Sequence, residues 1–319
     1  MARPKTSARD VLFQGGTGLF ALVIVIVTVG IAFVLWERSS LTIAKFGLDF
    51  WGTDRWDPVS GDFGARTFIW GTLYSSFLAL LISTPLALGI AIFLSELCPH
   101  RLRQPLAFLT ELLAAIPSIV YGLWGIFVLV PAIRALEQAL PDWLRATPLF
   151  SGPAVGVGML SAAAVLAIMI VPFSSAVARE VLKAVPAAQR EGAYALGATR
   201  WEATKIALYY TRVGIVGAVM LGLGRALGET MAVTMVIGNT PQVSASLLAP
   251  QYTMAAVIAN EFAEATSPLH ISALVEIGLV LFTVTLVVNA ASRLLIWRMT
   301  RRPNERVIVA PLVPEEKSA

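Results

Sequence analysis

Six long apolar runs dominate this chain and leave few options for its fold. Residues 11–36, 67–95 and 153–178 contain no Asp, Glu, Lys or Arg. Residues 106–130 carry only Glu111, 213–236 carry Arg225 and Glu229, and 271–297 carry Glu276 and Arg293. A helix needs roughly 20 predominantly apolar residues to cross a bilayer core, and each run meets that length. The expected fold is an all-α, polytopic membrane protein with six transmembrane helices. Composition agrees: 57% of the residues are hydrophobic and 14% charged, against about 25% charged in soluble domains.

The basic residues set the expected topology. Of the 24 Lys and Arg, 17 fall in 1–10, 98–105, 179–212 and 293–319, and six fall in 37–66 and 131–152. Segment 237–270 has none. The positive-inside rule then places both termini and the 179–212 loop in the cytoplasm. The net charge of +4 follows from this topology and does not point to nucleic acid. The first run ends in Trp36-Glu37-Arg38 without a small-residue cleavage pattern, so it reads as a retained helix. Residues 11–302 form the membrane domain and 303–319, without periodicity, a flexible cytoplasmic tail. Trp51 and Trp56 beside acidic residues suggest an interfacial element outside the membrane, and TMAAVIANEF near 253–262 suggests another external helix. The single Cys98 permits no intramolecular disulfide, and His100 and His270 match no metal-binding spacing. No cofactor is expected.

Loop 179–212 is a long charged interruption, with six of the Lys and Arg residues. Pro186 suits a first helical turn, Gly197 a helix stop, and Thr199-x-x-Glu202 a capping box. Two short helices joined at Gly197-Ala198 are expected. Small residues on the first (Gly192, Ala193, Ala195, with Gly197 at its end) would let another protein's surface approach.

The fifth run holds the deepest charges. Arg225 lies near the middle of 213–236 and Glu229 four residues on, the spacing of one helix face. A central ionisable residue costs roughly 2.5–3.5 kcal/mol on insertion scales, so both should face protein or a water-filled path. Gly224-x-x-x-Gly228 permits close helix approach. Glu111 and Glu276 read as interfacial carboxylates, with a place beside the path as the alternative, and Pro85, Pro117 and Pro172 as kinks. No Walker A sequence is present, so any ATP is expected to be hydrolysed by a separate subunit.

Glu191-Gly192-Ala193-x-x-x-Gly197 followed by Ile206-x-Leu208 resembles the EAA loop of ABC-importer permeases. It departs from that pattern in having eight residues between Gly197 and Ile206 instead of nine, and Tyr209 in place of Pro. The segments IPSIVYGLWG (116–125), REGAYALG (190–197), GLGRALGETMAV (222–233) and ALVEIGLVLF (273–282) resemble the PstC-type permease subunits of phosphate importers. The resemblance implies a type I (MetI-like) permease fold in a bacterial inner membrane. It also implies a homologous PstA-type permease partner, a PstB-type cytoplasmic ATPase dimer and an external PstS-type phosphate-binding protein. It assigns transport to Arg225 and Glu229, and ATPase coupling to Glu191, Gly192, Ala193 and Gly197. The residues themselves leave open another oxyanion such as sulfate or molybdate, a proton-coupled secondary carrier using Glu229, and a role in signalling phosphate status. In the physical reading, Arg225 compensates an anion in the path and Glu229 holds Arg225 in place.

Overall fold

The computed structural model describes residues 8–300, with side chains from Phe13 onward. The expected tail at 303–319 therefore lies outside the described residues. Among the described residues, six helical stretches are long and apolar enough to cross a membrane: Phe13–Arg38, Arg66–Leu97, Ser118–Gln138, Met159–Lys183, Arg200–Leu227 and Pro268–Thr300. The all-α, multi-pass reading holds.

Helix α1 (Ala8–Arg38) leads into α2 (Ser40–Phe46), α3 (Asp49–Gly52) and a minimal hairpin of β1 (Trp56–Asp57) and β2 (Asp62–Phe63). Helix α4 (Arg66–Ile92) ends in a π-helical turn, Phe93–Leu97. Next come α5 (His100–Ala114) and α6 (Ser118–Trp124), the latter continuing through a π-turn, Gly125–Leu129, into α7 (Val130–Gln138). After α8 (Asp142–Arg145) the chain forms α9 (Met159–Lys183), α10 (Ala187–Ala195) and α11 (Arg200–Leu227). Short α12 (Met231–Val236) and α13 (Met254–Glu261) precede the closing α14 (Pro268–Thr300).

Three spans differ from the sequence reading, each for a local reason. The third crossing is Ser118–Gln138 instead of 106–130. Proline disfavours helical geometry in the residue before it, so Pro117 separates α5 from α6 where a kink was expected. At 15 residues, α5 is about 22 Å long, too short to span the core. The fourth crossing runs to Lys183 and absorbs Arg179, which the sequence reading placed in the loop. The fifth ends at Leu227, and α12 resumes after Gly228, Glu229 and Thr230.

Helix α9 is the central post. In its most apolar window 61% of residues are buried, against no more than 33% in the other five crossings. Many of its buried positions are small (Ser161, Ala162, Ala163, Ala167, Ser174, Ser175, Ala178), which lets neighbouring backbones come close. Against it stand α4, α5 and α11, with α6 and α12 over its first half. The sequence reading put close approach at Gly224 and Gly228, but the glycines that need it are elsewhere. A Cβ on Gly222 would lie 2.7 Å from Ser174 Oγ and 2.8 Å from Ile170 Cγ2, and one on Gly214 would lie 2.5 Å from Val181 Cγ1. Gly228 faces open space. The contact stripe is thus Gly214, Ala218, Gly222 and Ala226, at intervals of four residues. The last three are buried.

The start of α9 is sealed by backbone. Gly158, Met159 and Leu160 N–H groups donate to the carbonyls of Val236, Ala249 and Leu247 at 3.0, 3.1 and 2.8 Å. This satisfies helix-terminal donors without a side-chain cap. The loop between α12 and α13 is in turn held on α4 by Trp70 Nε1 to Ser244 O, 2.9 Å, and Tyr74 Oη to Ala245 O, 2.8 Å. At this end Phe50, Phe63, Phe68, Met254, Leu274 and Ile277 form a second core. Trp56 packs edge-on to Phe63 and Phe68 at 4.9 and 4.8 Å and donates to Glu261 Oε2 at 2.9 Å. The segment expected to lie at an interface is folded as a lid on this core. Glu276 is buried here, 2% exposed with Oε2 unpartnered, and is not an interfacial carboxylate.

Candidate functional site

The break between α11 and α12 carries Arg225 and Glu229 at its edge and within it. Gly228, Glu229 and Thr230 are not helical, and the Glu229 N–H reaches back to Ala226 O at 3.3 Å. Two groups then restart the chain as α12: Glu229 Oε1 accepts from Ala232 N–H at 3.4 Å, and Thr234 Oγ1 donates to Thr230 O at 2.7 Å. Helix α6 covers α12 from the side. A Cβ on Gly122 would meet Met235 Sδ at 2.5 Å and Ala232 Cα at 3.1 Å, so the glycine of the VYGLWG segment is required by this contact.

Arg225 therefore stands in the last turn of α11 and Glu229 in the break itself. This overturns the expectation that they share one helical face. No ion pair within 4.0 Å joins them among the described residues, and Glu229 caps α12 instead of holding Arg225. The physical reason is the interrupted helix: beyond Leu227 the four-residue spacing no longer superposes side chains. Arg225 is exposed, with its guanidinium carbon 5.8 Å from the Phe173 ring centroid. Phe173 lies in the middle of α9, so Arg225 stands near mid-depth of the bundle. A cation at a helix C-terminus is favoured by the helix dipole. With Leu221 and Gly228, both exposed, Arg225 forms a face that none of the described residues covers.

The second site is the turn at α10. Pro186 is extended (φ −55°, ψ 137°) and sits one residue ahead of the helix. At the other end Ala198 N–H donates to Ala193 O and Gly197 N–H to Tyr194 O, at 3.1 and 2.9 Å, with Gly197 at φ +82°. These two bonds make a Schellman stop, whose left-handed residue favours glycine. The capping box is formed as expected: Glu202 N–H donates to Thr199 Oγ1 at 3.4 Å, and Thr199 N–H to Glu202 Oε2 at 2.7 Å.

Glu191 and Gly192 are exposed, and a Cβ on Gly192 would meet nothing within 4 Å. Ala193 points inward, 6% exposed, so it packs the hairpin and does not offer a surface. Leu196 is 91% exposed and is flanked by exposed Tyr194 and Trp201. Sequence reasoning missed Arg190, which ties α10 to the bundle. Its Nη2 reaches Glu96 Oε1 at 2.7 Å and Leu182 O at 2.9 Å, and its Nη1 reaches Val185 O at 3.1 Å. The signal available was Arg190 opening the REGAYALG segment and Glu96 closing an uncharged run. From the turn, α11 runs unbroken past Tyr209 to the Arg225 break. Its 28 residues measure about 42 Å, and a proline at 209 would have interrupted them.

Residues 83–301 match the model of the family described as binding-protein-dependent transport system inner membrane component. The chain is 46% identical to a phosphate transport system permease protein PstC of Mesorhizobium japonicum, covering 92% of this chain and 91% of that one. It is 46% identical to the PstC of Pasteurella multocida, over 96% and 100%. A probable PstC of Methanocaldococcus jannaschii is 41% identical over 77% and 81%. Among solved structures, a chain of the MetNI methionine ABC transporter in an inward facing conformation superposes with a TM-score of 0.56. It is 16% identical and covers 73% of this chain and 95% of that one, a likeness of fold.

Proposed function

We propose, from the premise that this chain belongs to the binding-protein-dependent transport system inner membrane components and, among them, to the PstC-type permeases, how its geometry moves phosphate. It is a multi-pass membrane transport subunit of a phosphate ABC importer and not an enzyme. It forms half of the translocation path. A homologous PstA-type permease supplies the other half, a PstB-type ATPase pair drives the cycle, and an external PstS-type protein delivers the anion. Both termini and α10 lie in the cytoplasm of a bacterial cell, in keeping with the Lys and Arg distribution. Residues 11–302 are the membrane domain, and 179–212 carries the coupling turn within it.

One observation carries this reading: an arginine exposed beside a helix break near mid-depth of the bundle, on a face the described residues leave uncovered. Irregular backbone at membrane depth is tolerated where protein buries it or where it lines a water-filled cavity. A second permease against Leu221, Arg225 and Gly228 would enclose such a cavity. Within it the Arg225 charge lowers the cost of bringing an oxyanion out of water. Glu229 shapes the break by starting α12. Glu191 and Gly192, with Leu196, form the surface that meets the ATPase. Ala193 and Gly197 set its shape, and α11 carries displacement from there to Arg225.

The test is ATP-dependent uptake of phosphate by vesicles holding the reconstituted four-component importer. Arg225→Gln should lower uptake by about tenfold or more, a barrier change of about 1.4 kcal/mol per factor of ten, with the complex still assembled. Normal uptake by an intact Arg225→Gln complex would overturn the role given to Arg225.

A further inference from the structure

By chain alone, α10 is joined only to α9 and α11, through the turns at Pro186 and Gly197. The Arg190 guanidinium adds a third helix. Its Nη2 donates to Glu96 Oε1 at 2.7 Å, and Glu96 lies in the π-helical turn Phe93–Leu97 that closes α4. Its other bonds reach Leu182 O at 2.9 Å and Val185 O at 3.1 Å, at and just beyond the end of α9. A cation there is favoured by the helix dipole. The Arg190 and Glu96 side chains are only 22% and 12% exposed. Beside them Ala91 of α4, Ala178 and Leu182 of α9, and Ala207 and Ala218 of α11 form one buried cluster with Val185. Leu182 and Val185 therefore give their side chains to this cluster and their carbonyls to Arg190.

Helix α4 with its π-turn is continuous from Arg66 to Leu97, about 48 Å of helix. At its far end Trp70 Nε1 and Tyr74 Oη donate to the carbonyls of Ser244 and Ala245. The same loop closes the start of α9, where Leu247 O and Ala249 O accept from Leu160 and Met159 N–H. One helix thus joins the α10 turn to the loop that seals the opposite end of the molecule. Coupling between distant sites is carried by packed side chains, hydrogen-bond networks and rigid elements, and α4 has a direct bond at each end. Helix α11 runs from the same turn to a different place, the break beside Arg225.

We propose that the Arg190–Glu96 pair makes α4 a second coupling strut, passing displacement of α10 to the loop 237–253 while α11 acts at Arg225. The proposal rests on the importer reading above. Arg190 and Glu96 are then positioning residues, acting through α4.

The experiment uses the reconstituted four-component importer and reads three quantities. They are phosphate taken up per ATP hydrolysed, stimulation of hydrolysis by the phosphate-loaded external binding protein, and hydrogen exchange over 244–247 with and without a non-hydrolysable ATP analogue. Glu96→Gln removes the charge and leaves the two carbonyl bonds of Arg190. It should lower uptake per ATP and the stimulation by about tenfold, the scale of one hydrogen bond to a charged group. It should also abolish the nucleotide-dependent change at 244–247, with the complex assembled and basal hydrolysis kept. Adding Glu96→Gln to Arg190→Gln should cost nothing further, since the contact is already gone. Lys183→Gln, which removes the exposed bridge to Glu180, should change none of the three. A role confined to anchoring α10 would lower hydrolysis and uptake together at an unchanged ratio; that result, or wild-type coupling in Glu96→Gln, overturns the proposal. If Glu96→Gln does not assemble, Glu96→Asp, one methylene shorter, decides on the same readouts. A wild-type complex that hydrolyses ATP but takes up no phosphate would overturn the importer reading, and the exchange at 244–247 would still decide this inference.

Discussion

Single residues decide what the two ends of α11 can do. At its start, Thr199 and Glu202 satisfy each other's backbone N–H groups, which would otherwise be orphans of the first turn. Thr199→Ala removes the acceptor and should cost about 1 kcal/mol of local stability. Hydrogen exchange should show faster exchange at the Trp201 and Glu202 amides, with protection in α9 unchanged; unchanged exchange at 201–202 would show that packing alone holds the turn. At its far end, Arg225 and Glu229 part company because three non-helical residues separate α11 from α12. The consequence is chemical. Among the described residues Arg225 has no carboxylate within 4.0 Å, and the glutamate is occupied in starting the next helix.

Helix α11 depends on one stripe of small residues pressed against α9. Gly222 is the tightest point against two side chains, Ser174 and Ile170, and Gly217 on another face meets nothing within 4 Å. Gly222→Val should force those neighbours apart and destabilise the chain by about 1–3 kcal/mol, the range for overpacking. Gly217→Ala should be neutral or mildly stabilising, since alanine is the better helix former by about 1 kcal/mol. Thermal unfolding of the purified protein in detergent separates the two. Equal melting temperatures for both variants would mean that α11 and α9 move apart freely at this point.

Across the whole molecule, α10 is tied to the bundle by Arg190 and presents an exposed apolar tip. Leu196 is 91% exposed, with Tyr194 and Trp201 beside it. Under the proposed function this tip anchors the ATPase, and loss of one interface anchor commonly costs about 2 kcal/mol or more. Leu196→Asp should leave the melting temperature of the isolated chain unchanged while reducing co-purification of the ATPase by about tenfold or more. Undiminished ATPase retention would place the coupling contact elsewhere. The face around Arg225 is likewise uncovered by the described residues, and under the proposed function both surfaces are ones that other subunits complete.

Much was legible from one dimension because bilayer thickness translates directly into run length. Six crossings, the Thr199 cap, the Gly197 stop and the α13 helix all follow from local chemistry that the sequence states outright. So do the residue types at the α10 turn, whose spacing is local. What local pattern left out was decided by packing. Hydropathy extends an apolar run through any residue that is not charged, so it could not see Pro117 dividing α5 from α6. Nor could it see that α11 stops at Leu227 while apolar residues continue to Val236. The small-residue stripe was misplaced by two residues, from Gly224 to Gly222, because every glycine in a run looks alike until a neighbouring helix selects one face. Glu276 and Arg179 are buried by elements far away in sequence, which no run-length argument registers. The sequence by itself determined how many times this chain crosses a membrane and which residue types it carries at depth. Only the tertiary structure decided which of those charges stand free, because a charge is free or satisfied according to what folds against it.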